Sequence, residues 1–297
     1  MTVLRSLLLS LLLLTLAQAR TSSHEDEFEV KMAPAGTPLT APVAGDPVAT
    51  MKLVWELYRA AGPRIGNRFV EPCYLLCLGD LRPYAAWNGF IIDPQPEDEA
   101  IYDRINEILV PRGLSIHPRK MDEKGRVEAF SLRSLAGLEK RTRESKLDWV
   151  PKYDRATGWP GYYAWKDECY KRLPKGGDAF HLVEGIMLGY PDPAVEHFPE
   201  LVWSQWPTTV EATIPAASYY LCGKPIFSLR SSDSAHPAVV ATETEWENFL
   251  TRCYRTSEHQ KLAAEPKFVE ERLRDQLPSG EPLEEDDDRY SERVGWA

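Results

Sequence analysis

The sequence predicts an α+β fold: a single globular domain with a β-α-β-β block, a central helical hairpin and C-terminal helices. Apolar residues recur at helical spacing in several long segments. Shorter runs with β-strand character lie between them, bounded by Gly, Pro and Asp stops. The chain has 297 residues, 43% of them apolar, which is enough to form a hydrophobic core. It shows no internal repeat, so we expect a single core.

Residues 1–19 have the three parts of a signal peptide. A short basic segment is followed by a leucine-rich core at Ser6–Leu16 and by a small-x-small triplet that ends at Ala19. The core is shorter than the roughly 20 apolar residues that a membrane span needs. We therefore predict a cleaved signal peptide and a secreted, extracellular protein without stable membrane insertion.

Two further segments are predicted to lie outside the folded domain. Residues 20–46 are polar and rich in Pro, Ala, Gly and Thr, and such a segment buries too little apolar surface to order its backbone. Residues 278–297 form an acidic tail that we also expect to be disordered. The segment 47–277 between them is the predicted α+β domain.

The first half of this domain is predicted to contain the β-α-β-β block, with one helix before it and one after it. Periodicity, caps and turn residues place the elements. They are a helix at Pro47–Ala61, a β-like segment at Phe69–Leu78, a short strand at Gly89–Ile92, a helix from Glu97 to Leu109, strands at Leu114–Arg119 and Arg126–Leu132, and a charged helix at Ser134–Lys146.

The middle of the chain is predicted to form a hairpin of two helices. Asp178 is a suitable N-cap for a helix that runs to Leu188, and Gly189 is the residue type that ends helices in the left-handed conformation. Pro191 cannot continue that helix, and Asp192 is placed to cap the second one. We expect the two helices to return antiparallel to each other.

The C-terminal part is predicted to contain two strands, a polar loop and two helical segments. Its elements are strands at Thr208–Leu221 and Pro225–Leu229, a loop at Ser231–Pro237, a helix at Glu243–Tyr254 capped by Thr242, and a helical run to Leu277 that is interrupted near Pro266.

Charge and cysteine content limit the partners and the compartment. The net charge of −10 disfavours nucleic acid, because phosphate backbones repel an acidic chain. In a secreted protein, five cysteines predict two disulfides and one remaining thiol. The cysteines are Cys73, Cys77, Cys169, Cys222 and Cys253, and we expect the first two to pair with distant partners.

Three ionisable residues of the hairpin form the first candidate site. His181 and Glu184 are spaced to project from one side of the first helix. An antiparallel second helix would bring His197 to the height of Glu184. Two imidazoles and a carboxylate could hold a divalent metal with an open position, or act as a general acid/base pair. The alternative is an ordinary His181–Glu184 contact within one helix.

The polar loop supplies the second candidate. Asp233 and His236 lie three residues apart in a segment rich in serine, and they could complete a catalytic or metal site with His181 and Glu184. The alternative is a solvated turn in which Ser and Asp satisfy local backbone groups.

An aromatic tract supplies the third candidate. Trp159, Tyr163 and Trp165 belong to a segment in which aromatic residues are dense, and exposed aromatic rings bind sugars by stacking. They are therefore candidate ligand-binding residues. The alternative is that they pack in the core.

Two classes of function remain open on the sequence. The first is a secreted domain that binds an extracellular ligand, a glycan or another protein. The second is a secreted hydrolase with His181, Glu184 and His197 at its site, with a divalent metal as its possible cofactor. HExxH, Walker A, GxGxxG and EF-hand motifs are all absent from the sequence, so no complete motif selects between them. An enzyme predicts that the ionisable candidates converge, and a binding domain predicts exposed tryptophans.

Overall fold

The computed structural model describes residues 44–86, 98–120, 127–174, 178–204, 216–221 and 224–269. Within them the fold is α+β, mostly helical, with a small antiparallel sheet of three strands. The helices and strands are α1 (Pro47–Ala61), α2 (Pro63–Gly66), α3 (Pro72–Leu78), β1 (Tyr84–Ala86), α4 (Asp98–Leu109), β2 (Leu114–Lys120), β3 (Val127–Ser134), α5 (Leu135–Glu144), α6 (Gly158–Arg172), α7 (Asp178–Met187), α8 (Asp192–Ser204), β4 (Ala216–Leu221), β5 (Lys224–Arg230), α9 (Pro237–Tyr254) and α10 (Ser257–Ala263).

The first helix forms where its caps and periodicity predict it. The Asp46 carboxylate accepts hydrogen bonds from the backbone N–H groups of Val48 and Ala49, which have no partner inside the helix. Val54 and Leu57 are fully buried on its inner face. The prediction of α1 is confirmed.

The segment Phe69–Leu78 is not β-like, so this part of the prediction is wrong. A 3-10 turn at Asn67–Val70 leads into helix α3, which has Pro72 at its first position. Every residue from Tyr74 to Leu78 is buried. An apolar run that is buried on all sides carries no periodicity, and periodicity is what separates a helix from a strand in the sequence.

The three-stranded sheet has the order β1-β3-β2, and both pairs are antiparallel. Helix α4 connects β1 to β2 and packs on β2, so the described strands and this helix form a β-α-β-β block. The predicted strand Gly89–Ile92 lies outside the described residues, and strand β1 at Tyr84–Ala86 was not predicted. The strands β4 and β5 form a separate antiparallel pair.

The two faces of the three-stranded sheet differ in chemistry. Leu114, Ile116 and Leu132 are fully buried in the main core on one face. The alternate residues Ser115 and Arg133 are also buried, on the face that helix α6 covers.

The helical hairpin forms as predicted, but its aspartate at the corner has another role. Gly189 has φ +76°, the left-handed conformation that ends α7. The Asp192 carboxylate does not cap its own helix. It accepts hydrogen bonds from Arg141, from the Ser145 hydroxyl and from the Lys146 backbone N–H, and thereby ties the hairpin to the end of α5.

Helix α9 begins earlier than predicted. It starts at Pro237, and Nδ1 of His236 caps it by accepting a hydrogen bond of 3.2 Å from the Ala238 N–H. Thr242 is not the cap. Its hydroxyl donates to the Ala238 carbonyl inside the helix. The inward position of Phe249 is confirmed.

Buried apolar side chains from Met51 to Phe268 form one connected core. Cys73, Cys77, Cys169 and Cys253 are free thiols, so the structure makes none of the predicted disulfides among these four. Cys222 lies outside the described residues, as do the predicted signal peptide and acidic tail. No helix in the described ranges is both long and apolar enough to cross a membrane.

Candidate functional site

His197 and Asp233 form the closest contact among the predicted site residues. Nδ1 of His197 lies 2.7 Å from Oδ2 of Asp233. The two side chains are 23% and 22% exposed, so the pair is neither fully solvated nor sealed in the core. The sequence singled out both residues but did not pair them with each other.

Tertiary packing brings these two residues together. His197 is on α8, and Asp233 ends a 3-10 turn, Ser231–Asp233, that follows β5 directly. Helix α8 packs against β5, so the turn at the end of that strand reaches the histidine. Glu184, which the antiparallel hairpin was expected to bring to the height of His197, makes no ion pair with it.

The contact engages Nδ1, one of the two ring nitrogens of His197. The two contacting atoms are shut off from solvent, and despite the short distance neither makes a hydrogen bond of regular geometry within the described ranges. Such bonds are often poorly aligned in ligand-free sites and tighten with substrate. A carboxylate only accepts, so the contact favours the tautomer that carries its proton on Nδ1. Nε2 then has the lone pair that a general base needs.

His181 and Glu184 form a second, looser pair. Their Nδ1 and Oε2 atoms are 3.8 Å apart on neighbouring turns of α7, which is an ion pair only when the imidazole is protonated. This is the contact within one helix that the sequence analysis gave as the alternative. His181 also lies edge-on to Phe180, with ring centroids 5.3 Å apart.

The five ionisable candidates therefore form two pairs and one cap. His236 is exposed and caps α9. The parts of the chain that the structure describes contain no group of three or more His, Cys, Asp or Glu side chains arranged to hold a metal ion.

The aromatic tract does not form the expected exposed face, so that expectation is wrong for both tryptophans. Trp159 and Trp165 are buried, at 3% and 4% exposure, and Trp165 donates its indole N–H to the Pro151 carbonyl. Tyr163 is half-buried and accepts a hydrogen bond of 3.0 Å from Arg133. Large aromatic rings stabilise a fold mainly by removing apolar surface from water, so burial in the core is favoured over exposure.

The three-stranded sheet also carries a buried polar group that was not predicted from the sequence. Ser115 and His117 are on the same face of β2, and their Oγ and Nε2 atoms are 2.7 Å apart. Both residues are almost completely buried. Burial lowers the pKa of His117 well below its usual value, and the positive charge of Arg133 adds to the effect. The i,i+2 spacing within the predicted strand was the available signal.

The His197–Asp233 pair is a better candidate site than His181–Glu184, because its atoms are 2.7 Å rather than 3.8 Å apart. It is a better candidate than Ser115–His117, because it is partly exposed. No protein-family model matches the chain, and neither a curated protein nor a solved structure is significantly similar to it.

Proposed function

We propose that this chain is a secreted hydrolase in which His197, oriented by Asp233, is the general base. The observation that carries the proposal is the 2.7 Å contact between Nδ1 of His197 and Oδ2 of Asp233 in a partly exposed position. The signal-peptide pattern of residues 1–19 supports secretion. Residues 47–277 are the proposed single domain.

The chemistry follows from the two ring nitrogens. Asp233 holds the proton on Nδ1, so the lone pair of Nε2 is free to take a proton from a water or a hydroxyl as it attacks the substrate. The imidazolium that forms is stabilised by the carboxylate beside it. His197 later returns the proton to the leaving group.

Binding without catalysis is the function that the sequence analysis placed first, and it stays untested. Its specific support was an exposed aromatic face, and Trp159 and Trp165 are buried instead. Among the large apolar side chains of the hairpin, Phe180 is exposed at 39%. An exposed ring such as that of Phe180 is ordinary on a protein surface and does not by itself define a binding face.

A panel of chromogenic p-nitrophenyl esters, phosphates and glycosides tests the proposal. We expect wild type to hydrolyse one class, and His197→Gln and Asp233→Asn to lower kcat by about 10²–10⁴-fold, the usual contribution of a general base. Each assay is repeated with a chelator, which tests the divalent metal assigned from the sequence to His181, Glu184 and His197.

Glu196→Gln is the matched control, because Glu196 is the exposed neighbour of His197 on α8. It should leave kcat unchanged, and thermal unfolding should show that all variants are folded. The proposal is contradicted if no substrate class is hydrolysed, or if His197→Gln and Glu196→Gln are equally active.

A further inference from the structure

Arg82 is a buried arginine that forms no ion pair with any residue of the described ranges. It lies between α3 and β1 and is 3% exposed. Its Nε and Nη1 atoms are shut off from solvent and have no hydrogen-bond partner. The guanidinium lies 5.7 Å from the ring centroid of Trp246, which is a cation–π contact.

Two other buried arginines have hydrogen-bonding side-chain partners of the kind that Arg82 lacks. Arg141 has Nη2 at 2.7 Å from Oδ1 of Asp192, and Arg133 donates to the Tyr163 hydroxyl at 3.0 Å. Within the described ranges no carboxylate pairs with Arg82. Asp80, two residues earlier, accepts from the Ser134 hydroxyl with one oxygen and from the Ala44 N–H with the other.

An unpaired guanidinium is costly in this position. Arginine does not lose its proton in proteins, so burial cannot be relieved by deprotonation. Buried charges are therefore paired in folded proteins, and the contact with Trp246 offsets only part of the lost hydration. An anion bound beside the guanidinium would balance its charge and use its Nε and Nη1 donors.

The corner of the helical hairpin lies against Arg82. A Cβ atom at Gly189 would be 3.1 Å from Cγ of Arg82 and 3.3 Å from the Trp246 ring. The next residue, Tyr190, is buried, and burial raises the pKa of its phenol to about 12 while the Arg82 charge opposes this.

We propose that Arg82 is the centre of a binding site for a small oxyanion, a carboxylate or a phosphate. The planar guanidinium matches the geometry of both groups. The Trp246 face and the Gly189–Tyr190 corner bound the site. This inference does not depend on the His197–Asp233 proposal, because the two sites share no residue.

Thermal unfolding of the full-length protein tests the inference. Inorganic phosphate and acetate are titrated separately in a chloride buffer at constant ionic strength. We expect one of them to raise Tm saturably, by about 3–6 °C at ten times its dissociation constant. The anion that saturates at lower concentration identifies the class of ligand.

Arg82→Met and Arg172→Met are the paired variants. Arg82→Met removes an unpaired charge, so we expect its Tm without anion to equal or exceed that of wild type, and the saturable shift to disappear. Arg172→Met removes an exposed arginine that pairs with Glu168 within α6, so we expect a Tm close to that of wild type and an unchanged shift. A non-specific effect of salt on stability would shift the Tm of wild type and of both variants by the same amount.

Two outcomes overturn the inference: wild type shows no saturable shift with either anion, or Arg82→Met shows the same shift as wild type. Should Arg82→Met not fold, calorimetric titration of Arg82→Lys with phosphate and acetate replaces it. A weaker affinity than wild type supports the site, because a lysine lacks the planar fork. An equal affinity contradicts it.

Discussion

Nη2 of Arg141 lies 2.7 Å from Oδ1 of Asp192, and this contact fastens the end of α5 to the corner of the hairpin. Burial lowers the pKa of Arg141, and the Asp192 carboxylate acts in the opposite direction. The same carboxylate accepts from the Ser145 hydroxyl and the Lys146 N–H. Since α8 carries His197, the position of the proposed base depends on this anchor.

Removing Asp192 should destabilise the protein strongly. We expect Asp192→Ala to lower the free energy of unfolding by about 3 kcal/mol, because it leaves a buried guanidinium unpaired. Urea denaturation measures the change. Glu245→Ala is the control, since Glu245 pairs with Lys140 at 2.6 Å but is 45% exposed. A loss of less than about 1 kcal/mol is expected there, and equal losses in the two variants would refute the account of the anchor.

Gly79 is the contact point between the end of α3 and helix α9. A Cβ atom there would lie 2.3 Å from Cζ of Phe249, which is buried. We expect Gly79→Ala to lower the free energy of unfolding by about 1–3 kcal/mol through overpacking. In a Phe249→Leu background the same substitution should cost less, because the ring is gone. An equal cost in both backgrounds would show that Phe249 is not the obstacle.

The elements that the sequence predicts well are those with caps and a clear apolar stripe. Helix α1 and the hairpin have Asp or Gly at their ends and alternate buried with exposed positions, so local chemistry defines them. Helix α3 has no exposed face, and its apolar run looks the same as that of a buried strand. His236 caps α9 with a ring nitrogen, which is not among the usual cap types.

The site is less predictable, because its key contact depends on tertiary packing. His197 and Asp233 are separated by the rest of α8 and the β4–β5 pair, and no local rule determines that α8 packs on β5. The His181–Glu184 pair lies within one helix and was predictable. The burial of Trp159 and Trp165 was not predictable, because a segment rich in aromatic residues can belong either to a core or to a sugar-binding face.

His117 should make stability depend on pH. The folded protein keeps its imidazole neutral, so as the pH falls below about 6.5 the unfolded chain takes up this proton first. The contribution of neutral His117 to the free energy of unfolding is therefore complete above about pH 6.5 and is lost progressively as the pH falls below it. We expect the stability difference between wild type and His117→Gln to shrink by up to about 2 kcal/mol from pH 7.5 to pH 5.0.

Urea denaturation at the two pH values measures this difference, and the comparison with the variant cancels the other titrating groups. A difference that is the same at both pH values would mean that His117 becomes protonated in the folded protein.

Three thiols should resist alkylation in the native state. Burial raises the pKa of Cys169 and of Cys253 to about 12 and raises that of Cys77 as well, so little of the reactive thiolate forms. We expect iodoacetamide at pH 8 to label Cys73, which is only half-buried, well before these three.

Peptide mass spectrometry after denaturation in urea completes this test. Without reductant, Cys73, Cys77, Cys169 and Cys253 should all become labelled, because the structure has them as free thiols. A cysteine that is labelled only after reduction would show that the disulfides predicted from the sequence form after all.

The tautomer of His197 tests the central claim most directly, because it requires no substrate. Selective ¹⁵N-histidine labelling and long-range ¹H–¹⁵N NMR identify which ring nitrogen carries the proton when the imidazole is neutral. We predict the Nδ1–H form in wild type, held by Asp233, and a shift towards Nε2–H in Asp233→Asn. An Nε2–H tautomer in wild type, or one that Asp233→Asn leaves unchanged, would contradict the role of Asp233 and the proposal that Nε2 is the base.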